Sequence, residues 1–262
     1  MTTLTYTLQD SATMLRRNLR RTLRYPVGPA STVGIPLVLL LLFVFVFGDT
    51  LGAGLTGVSG GRDEYLDYVT PGILVLAVAG AAQAVAITVA MDMSEGIIAR
   101  FRTMAIARVS VLTGHVVGSL IQTMAAMGVV IGVALALGFD PTASTLDWLA
   151  AIGLLALLTF ALIWLAVALG LVTKSVEAAS NLPMPLILLP FLGSGFVPTD
   201  TMPAGMRWFA EHQPFTPIME TLRGLLLGTP IDRAGTAIAW CVAIALGSYL
   251  WAKRLYNRDP TR

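Results

Sequence analysis

The sequence predicts an all-α membrane protein. It would hold six transmembrane helices, an N-terminal amphipathic surface helix, a cytoplasmic helix between spans 2 and 3, and short re-entrant helices before span 6. Three observations lead there. The 262 residues are 56% hydrophobic and only 12% charged, about half the charged fraction of an ordinary soluble chain, roughly 25%, and the mean hydropathy is +0.77. Apolar runs recur along the chain, most of them close to the roughly 20 residues that cross about 30 Å of hydrocarbon. The basic residues are segregated: thirteen of the seventeen Lys and Arg fall in alternate connecting segments, which the positive-inside tendency assigns to the cytoplasm. Both termini are then cytoplasmic, in a multi-pass protein of the cell membrane.

Residues 1–25 read as a helix on the membrane surface. Leu4, Leu8, Ala12, Leu15, Leu19 and Leu23 fill one arc at 100° per residue, and Arg16, Arg17, Arg20, Arg21 and Arg24 fill the other. That segregation suits the headgroup layer of an anionic leaflet, so membrane lipids are an expected partner. A basic stripe also suits nucleic acid, but apolar spans follow at once, and no nucleic-acid partner is expected. Nor does the segment read as a cleaved signal peptide, because its amphipathic stretch is long and further spans come after it. Pro26 and Pro29 end the helix.

The spans are expected at 30–47, 68–91, 111–137, 148–172, 178–197 and 234–251, with the whole of 1–262 as a single transmembrane domain. Pro36 marks a kink in the first, and Gln83 is the one strongly polar group inside the second. The third carries Gly114-xxx-Gly118 and Gly128-xxx-Gly132, small-residue spacings that let helices approach closely. Half of the fourteen prolines lie between Pro183 and Pro217. The apolar pieces of 198–233, among them Trp208 and Phe209, are too short to cross the bilayer. Broken helices dipping into the outer leaflet account for them better than an exposed loop does.

Between spans 2 and 3 lies the island MDMSEGIIARFRTMAIARVSVLTGH, Met91 to His115. As a helix it sets Ile97, Phe101, Met104 and Ala105 on one face. Such a face suits contact with a soluble partner, and an ordinary solvated connector stays open on spacing alone.

The chemistry within the spans is sparse. Ionisable residues cluster at span ends rather than inside, against a proton relay or voltage sensor. Gln83, Thr88, Ser119, Gln122, Thr123, Thr159 and Asn181 are polar but uncharged, expected mostly as helix-to-helix hydrogen-bonding groups. His115 and His212 lack ligand-spaced companions and Cys241 is the only cysteine, so no metal site, cofactor site or disulfide is expected. No GxxxxGK[ST] occurs, so a nucleotide cannot be hydrolysed through a P-loop here, and no catalytic residue is expected. A secondary transporter or channel would show intramembrane charges or an inverted repeat. A membrane-embedded transferase would need clustered Asp, Glu or His near one face. Neither pattern is found.

Asp92 to His115, DMSEGIIARFRTMAIARVSVLTGH, resembles the cytoplasmic segment of type-2 ABC exporter permeases, above all the daunorubicin/doxorubicin-resistance branch. A second stretch, SVEAASN followed by GSGFVPTDTMP and HQPFTPIMETLRGLLLG within Ser175 to Gly228, is similar too. The first departs from the family pattern at 104–106, which lacks a common proline, and at Glu95, where a basic residue is frequent. The resemblance implies an ABC-2 type domain that pairs with a second copy or a paralogue and sits on two copies of a separate ABC ATPase, which would bind ATP and Mg. It implies a drug-efflux permease conferring antibiotic resistance, without enzyme activity of its own. It carries ATPase coupling to Glu95, Arg100, Phe101 and Arg102. A translocation path would run along spans 2 and 5 by Gln83, Thr88, Asn181 and Phe191, and an outer gate would include Phe196, Pro198, Trp208 and Phe209. A neutral lining favours a lipophilic or amphiphilic cargo such as a drug, antibiotic or lipid.

Overall fold

The computed structural model describes residues 27–56, 61–95, 108–173 and 175–257. The expected surface helix at 1–25 lies outside them, as do Arg100, Phe101 and Arg102 of the cytoplasmic island. Among the described residues every regular element is helical. In chain order these are α1 (Val27–Leu42), a π-helical segment (Phe43–Phe47), α2 (Gly48–Thr56), α3 (Arg62–Ser94), α4 (Arg108–Ala136) and α5 (Thr145–Val172). Then come α6 (Val176–Asn181), α7 (Met184–Leu188), two 3-10 turns (Leu189–Leu192 and Thr199–Thr201), α8 (Ala204–His212), α9 (Phe215–Leu227) and α10 (Ala234–Asn257).

The bundle is organised around α3 and α5, which pack on each other and bury most of their surface. α3 is rich in Ala and Gly from Ala77 to Ala86, and small residues let two backbones close where lipid supplies no hydrophobic drive between helices. The approach is tight at Gly170, where an added Cβ would stand 2.7 Å from the Ala86 carbonyl oxygen. α10 packs on α5, and α1 on α3 and α4. The outer faces of α1, the π-helical segment and α10 display Ile35, Val38, Phe45, Val46, Leu246 and Leu250. Apolar stripes of that extent are not sustained in water; they are surfaces for lipid. The chain is a membrane protein.

Caps and turns explain the helix ends. Ser144 and Asp147 form a reciprocal capping box that starts α5. Gly228 ends α9 in the left-handed conformation at φ 69°, which glycine adopts without penalty.

The fifth expected span is not found as one long helix. Among the described residues five helices are long and apolar enough to cross a membrane, whereas Val176–Leu192 is shorter. The interval 178–197 holds α6, α7, a 3-10 turn and the non-helical turn after Leu192. Pro183, Pro185 and Pro190 each withhold a backbone donor and crowd the preceding turn, so no single helix runs through. At about 1.5 Å per residue the remaining pieces fall short of the roughly 30 Å required.

Two further expectations change. Added Cβ atoms on Gly128 and Gly132 would meet nothing within 4 Å, so this stripe makes no close helix contact within the described chain. The hydroxyls of Thr88 and Thr159 bond to Ala84 and Leu155 on their own helices, the i−4 pattern that satisfies a threonine without a neighbouring helix. Gln83 does cross between elements: its Nε2 donates to the Ser180 carbonyl at 2.6 Å.

Candidate functional site

A cavity of about 240 Å³ lies between α1, α3 and the broken helix. α1 contributes Thr32, Ile35, Pro36 and Leu39. α3 contributes Leu76, Ala77, Gly80, Gln83, Ala84 and Ile87, and Ile187 and Phe191 come from α7 and the 3-10 turn. These α1 positions follow the i, i+3, i+4, i+7 spacing of one helical face. Only Thr32 and the Gln83 amide are polar in this wall, so it suits an apolar or amphiphilic guest and disfavours an ion.

Phe191, in the cavity wall, belongs to a cluster of three aromatic rings, the plug. Phe191 and Phe196 stack with centroids 4.4 Å apart and planes 8° from parallel. Phe43 lies 4.6 Å from Phe196 and 6.3 Å from Phe191. Phe43 stands one helical turn past Leu39, where α1 passes into its π-helical segment. Such pairs add about 0.5–1.5 kcal/mol each beyond their area burial.

Phe196 is presented by the turn Gly193-Ser194-Gly195, which fits against α3 and α9 because it carries no side chain at two of three positions. A Cβ on Gly72 of α3 would lie 2.5 Å from the Gly195 carbonyl oxygen, and one on Gly193 would lie 2.2 Å from Gln213 Nε2. Three donors and one acceptor hold the turn. Tyr65 Oη donates to the Phe196 carbonyl at 3.3 Å and Tyr68 Oη to the Ser194 carbonyl at 2.9 Å. Arg223 Nη2 donates to the same Ser194 carbonyl at 2.8 Å, and Thr216 Oγ1 is 3.4 Å from the Ser194 amide it accepts from. The Gln213 amide bonds Thr216 at 2.9 Å and so fixes the start of α9.

The structure therefore brings Gln83 and Phe191 into one wall and stacks Phe196 on Phe191. Thr88 and Asn181 do not line this cavity, and Asn181 is exposed at the end of α6. Trp208 is 64% exposed and Phe209 41% exposed on α8, where Trp208 stacks on His212 rather than on the plug. Pro198 follows the plug turn at the start of the second 3-10 turn. Glu95 caps α3, its N–H on the Met91 carbonyl at 2.9 Å, with the side chain exposed.

Sequence reasoning missed Phe43, Tyr65, Tyr68, Gly72 and Arg223. Two signals were available: a lone arginine inside the apolar stretch of α9, and two tyrosines three apart on one face of α3.

The family model described as the ABC-2 type transporter matches residues 10–227, which spans the cavity, the plug and its holding turn. The chain belongs to the ABC-2 type transporter family. The permease is 28% identical over 207 residues to the daunorubicin resistance ABC transporter permease protein DrrB1 of Streptomyces coeruleorubidus, covering 78% of this chain and 70% of that protein. It is 25% identical over 220 residues to the "Probable doxorubicin resistance ABC transporter permease protein DrrC" of Mycobacterium tuberculosis, covering 80% of this chain and 79% of the relative. The permease is a membrane transport component homologous to drug-resistance transporters.

Proposed function

We propose that this permease is the membrane-spanning subunit of an ATP-driven exporter that moves a lipophilic or amphiphilic compound out of the cell. The observation that carries the reading is the apolar cavity whose wall residue Phe191 belongs to a three-ring plug, in a chain of the ABC-2 family. Daunorubicin and doxorubicin, named in its relatives, are the first cargoes to try. Residues 1–262 act as one ABC-2 type domain, paired with a second copy or a paralogue in the cell membrane. Its energy comes from two copies of a separate ABC ATPase holding ATP and Mg, since the 262 residues contain no P-loop. The surface helix at 1–25 rests on membrane lipids, and α8 and α9 dip into the outer leaflet. Gln83 and Phe191 line the path and Phe43, Phe191 and Phe196 form its outer gate.

Glu95, Arg100, Phe101 and Arg102 couple the permease to the ATPase, with Phe101 as the aromatic anchor. A buried anchor of this type commonly contributes about 2 kcal/mol or more to a contact. In a reconstituted complex with the ATPase, Phe101→Ala is expected to lower daunorubicin-stimulated ATP hydrolysis at least about tenfold while the permease still inserts. Retained stimulation and transport at equal assembly would remove Phe101 from the coupling and count against this reading of the island.

The orientation has its own test. Single cysteines in a Cys241→Ser background are expected to react with an impermeant thiol reagent from outside intact cells at positions 63 and 200, and not at 103 or 257. The reverse pattern would invert the topology.

A further inference from the structure

Arg223 is an unusual side chain to find in the middle of α9. Its guanidinium lies over the Tyr68 ring, 3.8 Å from the centroid. Nε and Nη2 donate to the Tyr68 carbonyl at 3.3 and 3.1 Å, and Nη2 donates to the Ser194 carbonyl at 2.8 Å. The cation is thus held by backbone carbonyls and a ring face rather than by a carboxylate. If fastening were all that mattered, a well-packed apolar side chain would often serve as well, without the desolvation cost of a charge.

A carboxylate does stand nearby. A cavity of about 230 Å³ opens beside Arg223, lined also by Glu220, Asp232 and Arg233. Glu220 is in ion-pair range of Arg233 at 3.5 Å, and a guanidinium on its flexible stem reaches such a neighbour by rotamer change. Arg223 therefore contacts carbonyls of Tyr68 and the plug turn on one side and shares a cavity with the carboxylates of Glu220 and Asp232 on the other.

We propose that Arg223 is the positioning residue of the outer gate. Hooked to Tyr68 and Ser194, it holds the Gly193–Gly195 turn on α3 and the Phe196 ring in the plug. When α9 shifts, the guanidinium exchanges those carbonyls for Glu220 and Asp232, and the turn is released with its ring. The exchange keeps the charge partnered on both sides, so the gate has two defined states rather than one closed state and a frayed one. This inference rests on reading the plug as the outer gate.

The test needs no cargo. Leu39 lies in the cavity wall one turn below Phe43, so a cysteine there reports water entering past the plug. In the full chain with its ATPase, Leu39→Cys in a Cys241→Ser background is expected to be protected from an impermeant maleimide added outside. Adding Arg223→Gln should raise its labelling rate about tenfold, the scale of one lost charge-assisted hydrogen bond. Native Cys241, buried on α10, supplies the control in a parallel Arg223→Gln chain and should stay unreactive. Should Arg223→Gln not insert, Tyr68→Phe removes one donor to Ser194 while keeping the ring, and about threefold faster labelling is expected. Glu220→Gln should act oppositely and slow labelling during ATP turnover. Full reaction of Leu39→Cys with Arg223 intact would overturn the gate and the latch with it. Protection there, unchanged by Arg223→Gln or Tyr68→Phe, would overturn the latch alone. A parallel rise at Cys241 would reduce Arg223 to a general structural contact.

Discussion

Gly72→Val is expected to lower the unfolding midpoint of the purified permease by on the order of 10 °C. The ideal Cβ at this position lies 2.5 Å from the Gly195 carbonyl oxygen and 2.9 Å from its carbonyl carbon. Both atoms are backbone, so no rotamer change relieves the clash and the whole plug turn must back away from α3. Overpacking of this kind costs about 1–3 kcal/mol. Withdrawal of the Ser194 carbonyl from Tyr68 and Arg223 adds about 1–3 kcal/mol for donors and acceptor left unpaired. Gly128→Val and Gly132→Val provide the comparison, because a Cβ added there meets nothing within 4 Å. Equal midpoints for Gly72→Val and Gly128→Val would show that the turn does not bear on α3 as described.

Phe196→Ala is expected to collapse the daunorubicin gradient held by proteoliposomes containing the permease and its ATPase by about tenfold or more, with ATP hydrolysis retained. Phe196 is 4% exposed and makes ring contacts with both Phe43 and Phe191. Its truncation removes two aromatic pairs worth about 0.5–1.5 kcal/mol each and leaves a hole that neighbouring rings fill only in part. A gate biased closed by a few kcal/mol is then open much of the time. Phe196→Leu restores volume without the stack and should fall between. Trp208→Ala and Phe209→Ala, on the exposed face of α8, should change the gradient less than about twofold. A full gradient in Phe196→Ala, or collapse in Trp208→Ala, would move the gate from the plug to α8.

These two predictions differ in what the sequence could have supplied. Phe196 could be named in advance because it sits in GSGFVP, a stretch with family resemblance. Its ring partner Phe43 could not. In the run Phe43 to Phe47 every residue is apolar, so hydropathy gives no indication of which ring faces inward. That choice was made by the π-helical segment, which changes the angular position of each later side chain on the helix. Gly72 was equally silent, one glycine among 25, until the turn from 193 to 195 was seen to lie against it.

By itself the sequence determined the membrane character, the all-helical class and the family. Each depends on quantities summed or read locally: apolar length against bilayer thickness, charge between spans, and motif residues in order. The tertiary structure decided which helices are central, which glycines carry close contacts, and where the fifth apolar stretch breaks. It also joined Gln83 of α3 to Phe191 of the 3-10 turn across one cavity, and Tyr68 to Arg223 across 155 residues of chain. Pairings at that separation depend on packing in three dimensions, and a carbonyl accepting from a distant guanidinium leaves no periodicity or spacing for a linear reading to detect.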